Sequence, residues 1–497
     1  MKKFYLTTPI YYVNDAPHIG HAYATILADV LARYHRLKGD EVFFLTGTDE
    51  NSQKNTEAAE KNGYTDIRAY LDMMSVKWRE SFRALDITFD RFIRTTEDEH
   101  KSAVNKFWSA VEANGDIYEG VYEGLYCNGC EMFKTETDLV GGNCPLHKTP
   151  PKHLKEKNYF FKLSSYREKL LAHIDANPEF IMPEGRRNEV RSYVDKFMED
   201  VSISRETMKW GIPVPGHPGS VVYVWFDALI NYLSGVGYGS DEKKFARLWP
   251  ADLHLVGKDI IKFHCALWPA MLMSAGLPLP TRVFATGFFT VNGDKMSKSL
   301  GNVIDPVKLA GRFGNDALRF FLLREIPVGG DGDFSTTRLA ERYSSDLANE
   351  FGNLLHRVLS MAEKYFDGKV PLAAEGSVPQ WAAYEKGLET LDFAMALDAI
   401  WEILRDSNKM IDTEKPWVLA KSDTDKLGKL LYLLLERLRH AGWMLLPIMP
   451  ASAKKLFAQL GIPDEDRRPY EEAKAWGGLI EGGILQKGEP LFPRLNP

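Results

Sequence analysis

The sequence predicts an α/β protein built on a parallel sheet, interrupted by an insertion and closed by an α-helical bundle. Three observations predict it. A strand, helix, strand order opens the chain; a stretch dense in Gly, Cys and Lys, with weak helical periodicity, breaks that pattern from about Gly115 to Lys157; and beyond Asp305 the periodicity is mostly helical. Phe4 to Val13 is rich in aromatic and β-branched residues and ends at the turn signal Asn14-Asp15-Ala16-Pro17, so it reads as a strand. Tyr23, Ile26, Leu27, Val30, Leu31 and Tyr34 recur at helical spacing from His21 onward, with Gly39 as the stop. Glu41 to Thr46 reads as the next strand and leads into Gly47-Thr48-Asp49-Glu50. In such a domain the ligand crevice lies at the carboxyl ends of the strands. Val221 to Trp225 and His254 to Val256 are strand-like and resume the α/β texture, so the sheet is expected to be discontinuous in sequence. In the bundle, Phe393, Leu397, Ile400, Trp401 and Leu404 mark one amphipathic face and Leu430 to Leu438 another, while the tail from Gly477 reads as extended.

At 497 residues the chain exceeds what one core organises, and about three domains are expected. The charged fraction of 26% and hydrophobic fraction of 44% are ordinary for a globular protein, and no apolar run approaches bilayer-spanning length, which argues against a membrane protein. Met1-Lys2-Lys3 before Phe4-Tyr5-Leu6 resembles the start of a signal peptide, but Thr7-Thr8-Pro9 interrupts it and no cleavage site follows. Four cysteines exclude a disulfide scaffold, and three of them sit in metal-ligand spacing, which favours a reducing cytoplasm. The net charge of −6 means that a nucleic-acid partner needs local basic surfaces rather than global attraction.

Two short segments carry phosphate chemistry. His18-Ile19-Gly20-His21 falls at a strand-to-helix turn, where unpaired backbone N–H groups and the helix dipole favour anions. Gly20, lacking a Cβ, lets a flat base or ribose approach the backbone. The alternative is that one His caps the helix and the other packs in the core. Lys295-Met296-Ser297-Lys298-Ser299 follows the loop signal Asn292-Gly293-Asp294, and two ammonium groups on a loop can stabilise departing pyrophosphate. A third motif, Cys127-x2-Cys130 then Cys144-x2-His147, supplies four ligands in two tight clips, as a closed tetrahedral zinc site requires. Cys265 stands apart as a small core residue.

The His-Ile-Gly-His and Lys-Met-Ser-Lys-Ser strings resemble the paired signatures of class I aminoacyl-tRNA synthetases. Over nearly the whole chain the resemblance is to bacterial-type methionyl-tRNA synthetases, through Pro9-Ile10-Tyr11-Tyr12-Val13-Asn14, Gly47-Thr48-Asp49-Glu50, Tyr223-Val224-Trp225-Phe226-Asp227-Ala228 and Gly257-Lys258-Asp259-Ile260. It implies a Rossmann-type catalytic domain in two halves (1–114 and 221–290), a zinc-bearing insertion (115–220), a stem-contact region (291–345) and a helical anticodon-binding domain with its tail (346–497). It implies that L-methionine is activated by ATP with Mg²⁺ and passed to the terminal ribose of tRNA(Met). His18, His21, Lys295 and Lys298 would be catalytic, and Gly20, Gly257, Asp259 and Ser297 would join them in binding ATP.

By the same resemblance Asp49 would hold the substrate ammonium, with the Ile10 backbone assisting. Ile10, Tyr12, Trp225, Ala228, Leu229, Tyr232, Ile260 and His264 would wall the methionine side chain. A flexible, polarizable thioether suits aromatic walls, and Tyr232 or His264 could donate weakly to its sulfur. The insertion would help position the acceptor end of tRNA. Asn353 and Arg357, four apart on one predicted helix face, and Trp417 would read the methionine anticodon. Many relatives continue beyond Leu491-Phe492-Pro493-Arg494 into a dimer-forming domain, so a monomer is expected. One departure stands out: after Asp49-Glu50 the family often has His-Gly, and this chain has Asn51-Ser52.

Rivals within the class are weaker. Leucine, isoleucine and valine enzymes need a larger editing insertion, and cysteine enzymes place a Cys near the first motif, where Thr7-Thr8-Pro9 stands. A non-catalytic tRNA-binding relative would have no use for the four pyrophosphate-handling residues.

Overall fold

The computed structural model describes residues 2–127, 132–134, 136–145, 148–296, 301–463 and 469–495. The chain forms two compact units: Lys3–Pro17 with Val42–Thr286, and His18–Glu41 with Gly287–Pro497 and the first two residues. Strand β1 (Lys3–Tyr12) is followed by helix α1 (Ile19–Leu37), β2 (Glu41–Asp49) and helix α2 (Gln53–Lys61). The expected second strand thus runs three residues further and carries Asp49 at its carboxyl end. Gly39, at φ +83, ends α1 in the left-handed region as its sequence position predicts.

In the first unit, β1 and β2 join β3 (Arg91–Arg94), β4 (Ile181–Met182), β5 (Leu253–Gly257) and β6 (Val283–Thr286) in a six-stranded sheet of order β3-β2-β1-β5-β6-β4. The pairings β2–β3, β1–β5, β5–β6 and β6–β4 are parallel. The strand order reverses between β1 and β5, so the carboxyl ends of those strands open the crevice where α/β sheets bind ligands. Helix α3 (Asp98–Ala113) backs the sheet, with Phe107 and Trp108 buried edge-on against Phe226 at ring distances of 5.9 and 5.6 Å.

The strand expected over Val221–Trp225 is corrected. His217–Val222 pairs antiparallel with Ser204–Arg205 and Pro213–Val214 in a separate small sheet, and the chain turns helical as α4 (Val224–Leu229). The Asp227 N–H bond to the Tyr223 carbonyl, 3.0 Å, closes the first helical turn. A short buried run of aromatic and β-branched residues has no period that separates strand from helix. The 115–220 stretch is β-rich, built on the long antiparallel pairing of Ile117–Cys127 with Lys152–Phe161, and it also supplies β4 to the main sheet.

In the second unit, β7 (Phe289–Val291) and β8 (Asp294–Lys295) form a hairpin, and β9 (Gly332–Phe334) runs parallel to β7. Asn292 at φ 52 and Gly293 at φ 85 make its two-residue loop. Positive φ at both central positions matches the right-handed twist of the strands, and Asn-Gly is the preferred pair for it. Helix α5 (Asn315–Glu325) and the bundle helices α6 (Asn353–Phe366), α7 (Phe393–Glu414), α8 (Pro416–Ser422) and α9 (Thr424–Leu445) complete the unit. All five apolar positions marked on α7 are buried, as are Leu430 to Leu438 of α9 apart from the half-buried Leu433 and Arg437. Asp29 of α1 is fully buried and meets Arg319 of α5 at 2.7 Å, while Arg319 also donates to the carbonyls of Ile448 and Pro447. A charge so buried is tolerable only with such partners.

Candidate active site

The N-terminus of α1 is built by the two histidines. The Gly20 N–H donates to His18 Nδ1 at 3.1 Å, and the His18 N–H donates to His21 Nδ1 at 3.2 Å, a reciprocal capping box. The rings stack at 3.6 Å. With Nδ1 accepting, the neutral form of either ring carries its proton on Nε2, so the cap fixes the tautomer of both rings at the helix N-terminus. Burial, with the neighbouring His18 adding to it, holds the His21 pKa well below the usual histidine range, so His21 is neutral at physiological pH. Gly20 has a second use beyond the one expected from sequence: a Cβ there would lie 3.1 Å from His18 Cε1, so glycine makes room for the capping ring.

The hairpin that leads into the lysine motif stands in the same unit as α1. The Ile19 N–H donates to the Ile304 carbonyl at 3.0 Å, and Tyr23 meets Phe289 edge-on at 5.0 Å. Asp333 braces the hairpin, accepting from Thr290 Oγ1 at 2.7 Å and from the Gly293 N–H at 2.8 Å; Asp331 accepts from the Phe288 N–H. Lys295 ends β8. Ser297 and Lys298 lie outside the described residues.

In the other unit, Ile10, Tyr12, Asp49 and Gly257 stand at the carboxyl ends of β1, β2 and β5, three adjacent strands. Asp49 is buried, and its carbonyl accepts from Asn55 Nδ2 at 2.8 Å. Its charge bears on Tyr232, whose phenol is pushed up chiefly by burial and further by Asp49. Trp225 stacks flat on Phe263 at 3.9 Å and meets His264 edge-on at 6.2 Å. Ala228 and Leu229 are buried on α4, and Ile10, Tyr12 and Ile260 are half-buried. His264 lies in a π-helical turn, Phe263–Leu267, a local widening frequent at functional sites. Asp259 is exposed just after β5, and its Oδ1 would lie 2.5 Å from a Cβ on Gly257, so a side chain there would displace the carboxylate from its present position.

The donors expected for a sulfur atom are already engaged. His264 Nδ1 lies 3.0 Å from the Ile260 carbonyl, which only accepts, so Nδ1 carries the proton and Nε2 accepts from the Tyr232 hydroxyl at 2.8 Å. Burial lowers the His264 pKa to about 4, so this tautomer persists at neutral pH. These residues therefore present ring faces and edges, while Tyr232 and His264 satisfy each other.

Of the four zinc candidates, Cys127 and Cys144 are buried, whereas Cys130 and His147 lie outside the described residues. Cys127 ends its strand, and Cys144 sits in a tight clip in which the Lys148 N–H donates to the Cys144 carbonyl at 2.8 Å and the Cys144 N–H to the Thr149 carbonyl at 2.9 Å. Among the described residues no three His, Cys, Asp or Glu side chains form a metal-holding group. Two thiols buried at the two clips nevertheless fit the donor chemistry of a structural zinc.

On the bundle, Asn353 is exposed at the start of α6, and Arg357, one turn on, reaches Asp412 Oδ1 of α7 at 3.2 Å. From Asp412 the chain passes through Lys415, at φ 48, and Pro416 to Trp417, which is 49% exposed on α8. An aromatic ring so exposed is available for stacking.

Sequence reasoning missed Phe263, the stacking partner of Trp225, and the buried set Asn51, Asp227 and His100. A signal existed for the latter: an Asp within the apolar run Val224-Trp225-Phe226-Asp227-Ala228 must find buried partners.

The chain matches the family described as "tRNA synthetases class I (M)" over residues 4–150 and 135–359, and "Anticodon binding domain of methionyl tRNA ligase" over residues 374–496. It is 46% identical to a methionine–tRNA ligase of Thermotoga maritima, across 99% of this chain and 80% of that one, and 45% identical to that of Streptomyces coelicolor, across 100% and 97%. Among solved structures, it resembles Mycobacterium tuberculosis methionyl-tRNA synthetase in complex with methionyl-adenylate, at TM-score 0.96 and 44% identity over 99% of this chain and 100% of that one. Against the apo form of the same enzyme the TM-score is 0.87, at 41% identity over 100% and 99%.

Proposed function

This chain belongs to the class I methionyl-tRNA synthetases, and on that premise we propose how its own residues divide the work. The enzyme activates L-methionine with ATP to methionyl-adenylate and pyrophosphate, then transfers the methionyl group to the 3′-terminal ribose of tRNA(Met). No side chain serves as a covalent nucleophile in the proposed reaction; positioning and charge stabilisation carry it.

In this assignment Asp49 holds the methionine ammonium, with the Ile10 backbone beside it, and Tyr12, Trp225, Ala228, Leu229, Tyr232, Ile260 and His264 enclose the side chain. The methionine carboxylate attacks the α-phosphorus of ATP, which enters with Mg²⁺. Gly257 and Asp259 take the nucleoside portion, and His18 and His21 meet the α-phosphate through their Nε2–H groups. The bond to pyrophosphate breaks as Lys295, Ser297 and Lys298 receive its growing charge. The observation that carries this reading is the reciprocal cap at α1: both Nδ1 atoms accept from the backbone, which fixes two stacked imidazoles at a helix N-terminus that already favours anions.

Cys127, Cys130, Cys144 and His147 are proposed to hold one structural zinc, which when bound would tie the two clips of the insertion together. Asn353, Arg357 and Trp417 are proposed to read the anticodon by edge hydrogen bonds and stacking. The sequence boundaries at 114, 220, 290 and 345 remain the proposed functional division. No second copy is needed to supply any of these groups, so the enzyme is read as a monomer, testable by sedimentation at micromolar concentration. The cysteine usage favours the reducing cytoplasm. Methionine-dependent ATP–pyrophosphate exchange tests the whole: Asp49→Asn is expected to raise the methionine KM selectively, and an unchanged value would remove Asp49 from the site.

A further inference from the structure

We infer that Asn51 and Asp227 form a buried positioning bridge for the methionine site, holding helix α4 against the end of β2. Asn51 lies two residues after Asp49. Its Nδ2 donates to Asp227 Oδ2 at 2.7 Å and to the Thr95 carbonyl at 3.2 Å. Both partners only accept, which fixes the orientation of the amide. The other carboxylate oxygen, Asp227 Oδ1, accepts from His100 Nε2 of α3 at 2.6 Å, and His100 Nδ1 faces Ser234 Oγ at 2.8 Å. Asn51 is 3% exposed, Asp227 and His100 are 0% and Ser234 4%, so these bonds are made away from bulk solvent.

The bridge joins two halves of one site. On one side, Ser52 caps α2 and Asn55 grips the Asp49 carbonyl, so the segment bearing Asn51 and Asp49 is tied to the start of α2. On the other, Asp227 stands between Trp225 and Ala228-Leu229, the wall residues of α4. The ammonium-binding carboxylate and the side-chain wall therefore keep their spacing through the side-chain contact of Asn51 with Asp227. Where the family often has His-Gly, Asn51 supplies a donor to the carboxylate and Ser52 a helix cap, so the departure in sequence keeps a working partner for Asp227. Asn51, Asp227 and His100 are positioning residues; none of them is placed against substrate.

This inference rests on the assignment of Asp49 and α4 to methionine. Asn51→Asp sets one carboxylate against another at nearly constant shape. It is expected to raise the methionine KM in ATP–pyrophosphate exchange about 10- to 100-fold, as a small misplacement of a site does, while the ATP KM stays within about twofold. Combining Asn51→Asp with Asp227→Asn reverses the polarity of the bond between the two side chains while leaving the Thr95 carbonyl without its donor, and is expected to recover about tenfold of the lost methionine KM rather than all of it. An unchanged methionine KM in Asn51→Asp, or a folded double variant as impaired as the single one, overturns the inference. If Asn51→Asp does not fold, Asn51→Ala, which removes the donor without adding charge, is read in its place by the same criterion. Asp49→Asn separates the two failures: if it raises the methionine KM while the Asn51 variants do not, only the bridge is wrong; if it does not, the site assignment itself falls.

Discussion

Ile19 and Ile304 are joined by a backbone hydrogen bond, the Ile19 N–H donating to the Ile304 carbonyl at 3.0 Å. Ile19 lies between the two capping histidines and Ile304 just beyond the lysine motif, so one bond links the histidine string to the segment that follows the lysine string. The two strings lie far apart in sequence; α1, which carries the first, and the β7–β8 hairpin, which leads into the second, belong to one unit. Neither segment depends on the other's side chains for its local form, since one is a helix cap and the other an Asn-Gly hairpin.

The two roles of His18 can be separated by substitution. Asn is a good N-cap but carries no ring N–H in the position of Nε2. His18→Asn is expected to leave the melting temperature nearly unchanged while slowing pyrophosphate exchange about 100-fold, the scale of losing one transition-state donor. A matched loss of stability and rate in calorimetry and exchange assays would reduce His18 to a cap.

Acid should destabilise the fold through its buried histidines. The His264 pKa is lowered to about 4 and that of His440 to about 3, both chiefly by burial. The unfolded chain takes up protons near pH 6.5, before these sites do, so stability is constant above that pH and falls as the pH drops toward the folded values. For His264 alone the loss by pH 4 is on the order of 3 kcal/mol. Urea unfolding at pH 7.5 and 5 should show a smaller difference in His264→Gln than in the parent; equal differences would contradict the buried, neutral ring.

The anticodon assignment predicts a split between the two half-reactions. Trp417→Ala is expected to raise the KM for tRNA(Met) in aminoacylation about 10-fold or more, from the loss of one base-stacking contact. Pyrophosphate exchange without tRNA should not change. Arg357→Ala should behave alike, although its pairing with Asp412 means that part of its loss is structural.

Zinc content offers an independent check on the insertion. Cys144→Ser is expected to lower bound zinc from one per chain toward none by elemental analysis, and to affect aminoacylation more than pyrophosphate exchange. Full zinc retention in Cys144→Ser would remove it from the ligand set.

What can be read from sequence is local. The β1–α1–β2 opening, the Asn292-Gly293 turn and the α7 and α9 core faces each follow from a period or a turn residue within a few positions. The helix at Val224–Leu229 is not legible as such, because a six-residue buried segment carries no period. The two-residue strand β4 gives no signal at all until β6 is beside it. Asp227 announces only that it needs partners; that Asn51 and His100 supply them is not legible, because the bonds span 176 and 127 positions and only tertiary packing tells which buried polar group answers which. Tyr232 and His264 are singled out only by the family resemblance, and the direction of their hydrogen bond comes from the Ile260 carbonyl, a backbone atom that no sequence pattern displays.

The most direct test of the central claim, that the histidine cap and the lysine loop act on phosphate rather than on methionine, is a single-turnover measurement of adenylate formation beside equilibrium methionine binding in Lys295→Ala and Lys298→Ala. Adenylate formation is expected to fall about 100-fold or more, with the methionine Kd within about twofold of the parent. Equal loss of both would contradict the account.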